Sequence, residues 1–537
     1  MVVAEAGVLA ERVREDLDEA VSAAHAMQDR AASLVADHGR TLVRLERATH
    51  AASRSATLRP QPTGQDAPQE PGSGSGLVRK TGLSLLTQAI TATATAILTL
   101  FLIRVLEPAE YGVFSLVMAI TGLLLLPADF GISGSAARFI AEGRGNIRAV
   151  AAIFADALRL KLVISLVLGI ALVAFAGVVA DIFRTPELTL PLQIAAVGLV
   201  GQSLMLLFTS AFLAVGRIGS NLRLVAGESI VELSASVVIV LAGAGAAGAA
   251  TGRSIGYAVG AIVGALLAAR AFGRTAVRPG LKPRSGYRRL VRYAGALFVV
   301  DGAFALFNQI DILLIGRLLG SASVGLFAAP LRLCTVLHYP GLAVSNAVSP
   351  RVARAVGHAP DTRAFSVGLR GLIVLQVAIA VPILVWAQPI VDLLLGPSYA
   401  ESAPVLRALT PFIVLQGLGP LISVSVNFLG QARRRIPIAI AAVVVNIVLD
   451  LILIPRIGVI GAAIGTDVAY AIYVPAHFLI CHRMLHLDVR PILLTCARAL
   501  AAGVAMAGPL LLAADGGLGL RGWVLGGGRR GAGPRAT

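Results

Sequence analysis

From about Thr81 to Pro509 the chain alternates long apolar runs with short polar gaps. Crossing a hydrocarbon core of about 30 Å takes roughly 20 helical residues, and the runs reach that length. The pattern predicts thirteen transmembrane helices. Six lie near 81–106, 113–134, 158–182, 188–214, 222–246 and 253–272, and six more near 291–317, 322–348, 367–395, 404–429, 436–456 and 458–481. A last one covers 491–513. The N-terminal segment has a different period. Ala10, Val13, Leu17, Ala20, Ala24, Met27, Ala31, Leu34, His38, Thr41 and Leu45 recur every three or four positions. Alanine and histidine make that seam a poor one, which predicts a marginal cytoplasmic helix within 1–58. A Pro/Gly/Ser linker over 59–76 follows it. The remainder divides into a first six-helix unit (77–272), a basic linker (273–290), a second six-helix unit (291–482), and a thirteenth helix with a Gly-rich tail (483–537).

The two units repeat each other. Arg104, Leu106, Ala109, Gly112 and Phe114 recur as Arg317, Leu319, Ala322, Gly325 and Phe327 at a constant offset of 213. The phase returns at Arg138 and Arg351, and again where Gly248, Gly252 and Tyr257 match Gly461, Gly465 and Tyr470. A repeated membrane unit is the mark of many transporters.

Basic residues orient the helices, because Lys and Arg near helix ends stay on the cytoplasmic side. Even-numbered gaps hold most of them: Arg138, Arg148, Arg159 and Lys161 in the second, Arg433, Arg434 and Arg435 in the tenth, and eight in the sixth. Odd gaps hold about one each, Arg104 and Arg253 among them. The N-terminus is therefore expected in the cytoplasm of a cell-membrane protein. Six helices bring the second unit in with the same orientation, so the repeats are parallel. Composition agrees, with 56% hydrophobic residues, 14% charged residues and a mean hydropathy of +0.82. A net charge of +17 raises nucleic acid as a partner, but only 5% of residues are aromatic and the charge sits in the gaps, which excludes it. Membrane lipids are the expected contact of the basic linker. Cys334, Cys481 and Cys496 have no paired spacing, so neither a disulfide framework nor a zinc site is expected.

Charges inside the spans need an interior destination. Asp301 and Asp311 lie in the seventh span, Arg332 and His338 in the eighth. Counting about 1.5 Å per residue puts Asp301 level with His338 and Asp311 within a turn of Arg332. Asp311 and Arg332 read either as an ion pair locking two helices or as cavity-lining groups. Glu228 and Glu232 share one face of the fifth span, while Asp450 and Asp467 sit in the eleventh and twelfth. Asp129, Asp450 and Arg456 fall near predicted helix ends, where solvated termini are expected. Gly256, Gly260 and Gly264 form a GxxxGxxxG packing face. No phosphate-binding GxxxxGK[ST] loop or HExxH is present, and His482 and His486 have no nearby carboxylate, so neither an enzyme nor a metal centre is expected.

DFGISGSAARFIAE (129–142), NQIDILLIGRLLGSASVGLFAAPLRL (308–333) and VVVNIVLDLILIPRIGVIGAAIGT (443–466) resemble the signatures of polysaccharide, O-antigen-type oligosaccharide flippases. These belong to the multidrug/oligosaccharidyl-lipid/polysaccharide exporter superfamily, and the resemblance covers roughly 78–485. It implies an all-α polytopic membrane protein of two six-helix lobes around a central cavity that opens alternately to each side, plus the extra C-terminal helix. The implied cargo is a polyprenyl-diphosphate-linked oligosaccharide for polysaccharide or lipopolysaccharide biosynthesis, with glycan-assembly proteins as candidate partners. Arg332 would meet the diphosphate, its fork suiting an oxyanion. Asp311, His338, Asp301, Asn308, Glu228 and Glu232 complete the candidate cavity set. No cofactor is expected, and a coupling ion, Na+ or H+, is left open. Lipid-linked peptidoglycan precursor and small-molecule export are alternatives within transport, and a non-transporting scaffold is the alternative outside it. Two departures stand out. The first span lacks the acidic residue of proton-coupled drug exporters, and residues 514–537 are too glycine-rich and short for the fourteenth helix of many members.

Overall fold

The structure, a computed structural model, describes residues 73–143, 145–277, 287–352 and 360–515. The expectations for the N-terminal helix, for most of the Pro/Gly/Ser linker, for the middle of the basic linker and for the Gly-rich tail lie outside these residues. The side chain of Asp301 lies outside them too.

The described residues form helices joined by short turns: α1 (Ser73–Val105), α2 (Pro108–Asp129), α3 (Ile132–Glu142), α4 (Ile147–Ile182), α5 (Thr189–Ala214), α6 (Ile218–Ile239) and α7 (Gly245–Phe272) make the first half. The second half comprises α8 (Tyr287–Leu319), α9 (Ser321–Val336), α10 (Tyr339–Val348), α11 (Thr362–Val385), α12 (Ala387–Leu394), α13 (Ser402–Ala408), α14 (Thr410–Phe428), α15 (Ala432–Ile457) and α16 (Val459–Leu485), and α17 (Arg490–Asp515) follows. Among the described residues, eleven stretches are long and apolar enough to cross a membrane, and one of them, Ile218–Phe272, holds two helices, α6 and α7. α8, a 33-residue helix, stands where the seventh predicted span falls, so the order of helices follows that read from the sequence. Large apolar side chains such as Val504, Ile170 and Val238 are exposed on the flanks, as a hydrocarbon solvent permits.

Local chemistry starts and stops these helices. Pro108 sits in the first turn of α2, where its missing N–H costs nothing. Asn146 caps α4 by accepting from the Arg148 and Ala149 amides, and Asp361 caps α11 through the Ala364 amide at 2.8 Å. The second crossing is broken: Phe130 and Gly131 are both left-handed, and the chain restarts as α3.

The two halves are built alike. α6 and α7 form an antiparallel hairpin, in which a Cβ at Gly252 would strike Ser236 and one at Gly256 would strike Glu232. At the repeat offset, α15 and α16 form the same hairpin, Gly461 lying on Leu453 and Gly465 on Asp450. Both turns pass through an unusual backbone angle, φ 50°, ψ −136° at Gly245 and φ 68°, ψ −146° at Gly458, where only glycine is unstrained. The glycine face of α7 packs on both neighbours, with Gly260 against Met205 and Glu228 and Gly264 against Phe208.

The halves meet at a crossing of α2 with α9. A Cβ at Gly112 would fall on the backbone carbonyl of Ser321, and a Cβ at Gly325 on that of Pro108. Since Pro108 and Ser321 are repeat mates, as are Gly112 and Gly325, the contact is its own image under a two-fold relation between parallel repeats. The two ends of the bundle are named odd and even here after the turns they carry. The α2–α9 crossing lies at the odd end, with the α1–α2 turn, the α6–α7 turn and Gly320.

One lock inside the first half differs from expectation. Lys161 and Asp129 were assigned to polar gaps or a solvated helix end. α4 instead begins at Ile147, so Lys161 is fully buried, with Nζ 2.5 Å from Asp129 Oδ1 and 2.8 Å from Ser133 Oγ. The predicted span began at 158, whereas the helix begins eleven residues earlier, at Ile147, and carries the paired charge inside it. The pair ties α4 to the broken α2–α3 joint. Lys161→Met is expected to strand the carboxylate and destabilise the protein by about 3–5 kcal/mol, and Lys161→Met with Asp129→Asn to recover most of that. Thermal unfolding of the purified variants checks this, and a double variant no better than the single would contradict the pairing.

Candidate functional site

Beneath the α2–α9 crossing lies a cavity of about 770 Å³. α1 contributes Thr95 and Thr99, α2 contributes Tyr111, Phe114, Ser115 and Met118, α5 Gln202 and α7 Arg253. From the second half come Gln309 of α8, Arg332 and Thr335 of α9, and Tyr339 of α10, with Ile383 and Ile413 supplying apolar wall. Polar groups from both halves thus converge in an otherwise apolar hollow, as binding cavities do.

The odd end of this cavity is roofed. Besides the glycine crossing, Tyr399 Oη donates to the Leu106 carbonyl at 3.2 Å and Arg104 Nε donates to the Leu394 carbonyl at 2.9 Å. The Tyr399 ring stands edge-on to that of Tyr111, 6.4 Å away. Each of these contacts joins the two halves.

Arg332 is exposed within the cavity, and its guanidinium reaches Tyr111, whose hydroxyl also meets Ser115. Among the described residues no carboxylate pairs with it. Arg253 is different. Its Nη1 lies 2.7 Å from Glu232 Oε1, Nη2 donates to Tyr257 Oη at 2.8 Å, and the guanidinium stacks over the Tyr257 ring. Glu228, one turn earlier on α6, is buried and accepts from Ser229 Oγ at 3.2 Å.

Asp311 does not pair with Arg332. Its Oδ2 accepts from Thr466 Oγ1 at 2.5 Å, and Asp450 and Asn446 of α15 face the same carboxyl. Both carboxylate oxygens of Asp450, both polar side-chain atoms of Asn446 and Oδ1 of Asp311 are buried without a hydrogen-bond partner. Asp450, expected at a solvated terminus, is fully buried. The reason for the different partner is rotation. Counting residues gave depth along the helix but not the direction in which a side chain leaves it: Arg332 is exposed in the cavity, whereas Cys334, two residues and about 200° further around α9, is fully buried. Arg332 opens on the cavity, while Asp311 is bonded to Thr466 of α16.

The remaining predicted residues scatter. His338 sits at the α9–α10 break, half-buried, with Nδ1 3.1 Å from the Gln416 carbonyl oxygen. Asn308 is exposed on α8, while its neighbour Gln309 lines the cavity. Sequence reasoning missed Arg253, Tyr111, Asn446 and Thr466. Arg253 was assigned to an odd gap, yet α7 starts eight positions before it, at Gly245. The available signal was the acid it mates with across the hairpin turn, Glu232.

A polytopic helical bundle of two repeated halves closing on a shared cavity defines a membrane transporter of the two-lobe kind. The chain belongs to the polysaccharide biosynthesis protein family, whose pattern it matches over residues 77–356, just over half its length. A MatE match covers 298–452. It is 25% identical over 386 residues to the probable low-salt glycan biosynthesis flippase Agl15 of Haloferax volcanii, covering 70% of this chain and 77% of that one. Its fold resembles lipid II flippase MurJ in an inward closed conformation, with TM-score 0.65 at 15% identity, covering 78% of this chain and 92% of that one. It also resembles an inward-facing multidrug resistance MATE family transporter, with TM-score 0.58 at 17% identity, covering 75% and 99%. The eukaryotic MATE transporter AtDTX14 gives 0.57 at 14% identity, covering 80% and 100%.

Proposed function

We propose that the protein is a flippase carrying a polyprenyl-diphosphate-linked oligosaccharide from the cytoplasmic to the external leaflet by alternating access. The observation that carries this reading is Arg332, a cation with no carboxylate partner among the described residues, in a cavity roofed at one end. An unneutralised guanidinium at that depth calls for an anion, and a diphosphate offers it the bidentate geometry it favours. Family membership and the glycan-flippase relative support a lipid-linked glycan as that anion's bearer. The protein lies in the cytoplasmic membrane with its even end inside, in keeping with the arginines gathered at the even turns. Reporters at Arg434 and Glu187 are expected to read cytoplasm and exterior respectively, and the reverse would invert the direction of transport.

Transport against a gradient needs a coupled energy source, and the Asp311–Asn446–Asp450–Thr466 cluster suits a small cation. Its buried oxygens outnumber their hydrogen-bond partners, and the described residues bring no Lys or Arg to it. Two carboxylates so placed either share a proton or bind Na+. Proteoliposomes carrying a fluorescent lipid-linked oligosaccharide test both points. Flipping is expected to rise at least about tenfold under an imposed Na+ or H+ gradient, and Asp450→Asn to remove that rise while leaving slow equilibration. Absence of flipping by the wild-type protein under either gradient would reject the function. A rise that persists in Asp450→Asn would reject the coupling site alone.

A further inference from the structure

α11 and α17 both start at the even end and pack side by side. Arg370 Nε donates to Thr495 Oγ1 at 2.8 Å, a Cβ at Gly503 would meet Val377 and Val381, and Trp386 Nε1 donates to the Leu510 carbonyl at 3.1 Å. The residues rise together on both helices, so the pair is parallel. α17 is held along a narrow seam. Among its described side chains between Arg490 and Leu512, Ile492, Thr495, Ala499 and Gly503 alone are buried, one residue per turn. Apolar packing gives two helices little preference for each other over lipid tails, so a seam this narrow leans on its polar contacts.

Two arginines flank that seam where lipid is the solvent. Arg370 and Arg498 each lie eight residues past their helix starts, about 12 Å along stretches apolar enough to span a membrane. Both are exposed, and the residues one turn away are exposed aliphatics, Val367 and Val374 beside Arg370 and Leu494 beside Arg498. Arg498 is three residues past Thr495, on the adjoining face, so it borders the contact that Arg370 makes. A cation at this depth is not left to hydrocarbon. Among the described residues no carboxylate pairs with either arginine. The acids nearest in sequence, Asp361 and Asp488, stand at the helix starts and accept from the Ala364 and Arg490 amides at 2.8 and 3.0 Å. Helical Cα–Cβ bonds tilt toward the N-terminus, which for both helices is the even end, and the long stems carry the guanidinium groups further that way. Both cations therefore reach for the headgroup layer of the same leaflet.

We propose that the even end of the α11–α17 seam binds an anionic phospholipid, whose headgroup phosphate bridges Arg370 and Arg498 while its acyl chains lie on the exposed aliphatics. Thr495 occupies only Nε of Arg370, which leaves both terminal nitrogens for the phosphate. A soluble anion or an acidic protein segment would have to enter hydrocarbon to reach these groups, whereas a lipid is already there. Basic pockets between helices at the headgroup level are suited to such lipids. The bridging lipid clamps α17 to α11. None of Arg370, Thr495 and Arg498 lines the central cavity, so the site is separate from it and independent of the cargo.

The test is native mass spectrometry of the purified full-length protein titrated with phosphatidylglycerol or phosphatidylcholine in detergent. Wild type is expected to retain phosphatidylglycerol in preference to phosphatidylcholine. Arg370→Gln and Arg498→Gln are each expected to weaken phosphatidylglycerol about fivefold, and the two together about thirtyfold, with phosphatidylcholine unchanged. Arg370→Lys with Arg498→Lys keeps both charges and is expected to retain part of the affinity, which separates lost charge from a damaged fold. Arg433→Gln with Arg434→Gln removes two exposed charges from another even turn and is expected to leave phosphatidylglycerol binding as it was. Inorganic phosphate is expected not to displace the lipid. Undiminished phosphatidylglycerol binding in the double Gln variant would overturn the proposal. An equal fall in the Arg433 and Arg434 variant would reduce the effect to general basic charge, and displacement by inorganic phosphate would show a free-anion site instead of a lipid site.

Discussion

Arg332→Ala is expected to lower export of a lipid-linked oligosaccharide at least about 100-fold while membrane abundance stays near wild type. The side chain is exposed in the cavity and pairs with no carboxylate among the described residues, so its removal strands no described buried charge. Arg332→Lys is expected to keep part of the activity, since the charge remains but the bidentate fork does not. The informative variant is Arg332→Ala combined with Asp311→Ala. If the two formed a lock, the double change would restore what the single destroys. The structure directs Asp311 to Thr466 instead, so no recovery is expected. Export and abundance measured together decide this, and recovery in the double variant would reduce Arg332 to a structural role.

That pair also shows what the sequence could and could not convey. Apolar run length and the basic gaps were enough for thirteen helices, and the offset of 213 was enough for the repeat, because both depend on position along the chain. Depth of a charge follows the same way, and Arg332 does lie deep within its span. Rotation does not follow. Arg332 and Cys334 differ by two residues, yet one is exposed and the other fully buried, and only the packing of neighbouring helices decides which is which. Hydropathy fails at a third kind of position. Lys161 and Arg253 were both counted as gap charges at the start of predicted spans (158–182 and 253–272), because a charge reads as water. Each is inside a helix, paired with Asp129 and Glu232 on another helix. A partner distant in sequence is invisible to any local window, and these paired charges are where the chain departs most from the simple apolar pattern.

The α2–α9 crossing has to come apart for the cavity to open at the odd end, and glycine is what allows it to close. At Gly112 and Gly325 the nearest atoms are backbone carbonyls of the opposite helix, which no rotamer change can move aside. Gly112→Leu is therefore expected to hold the helices apart at the roof and to strain the Tyr399 and Arg104 contacts that depend on the same approach. The helices themselves gain, since leucine favours helix over glycine by about 0.8 kcal/mol, so insertion and membrane abundance are expected to persist. Export is expected to fall at least about 100-fold, because a carrier that cannot seal one side cannot alternate. Gly325→Leu, its repeat mate, is expected to do the same. Accessibility separates this from a loss of binding. With Cys334, Cys481 and Cys496 replaced by alanine, Thr99→Cys places a single thiol in the cavity wall. An impermeant thiol reagent added outside is expected to label it in the Gly112→Leu background and to label the parent little. Equal labelling in the two, or export unchanged in Gly112→Leu, would show that this crossing is not the gate.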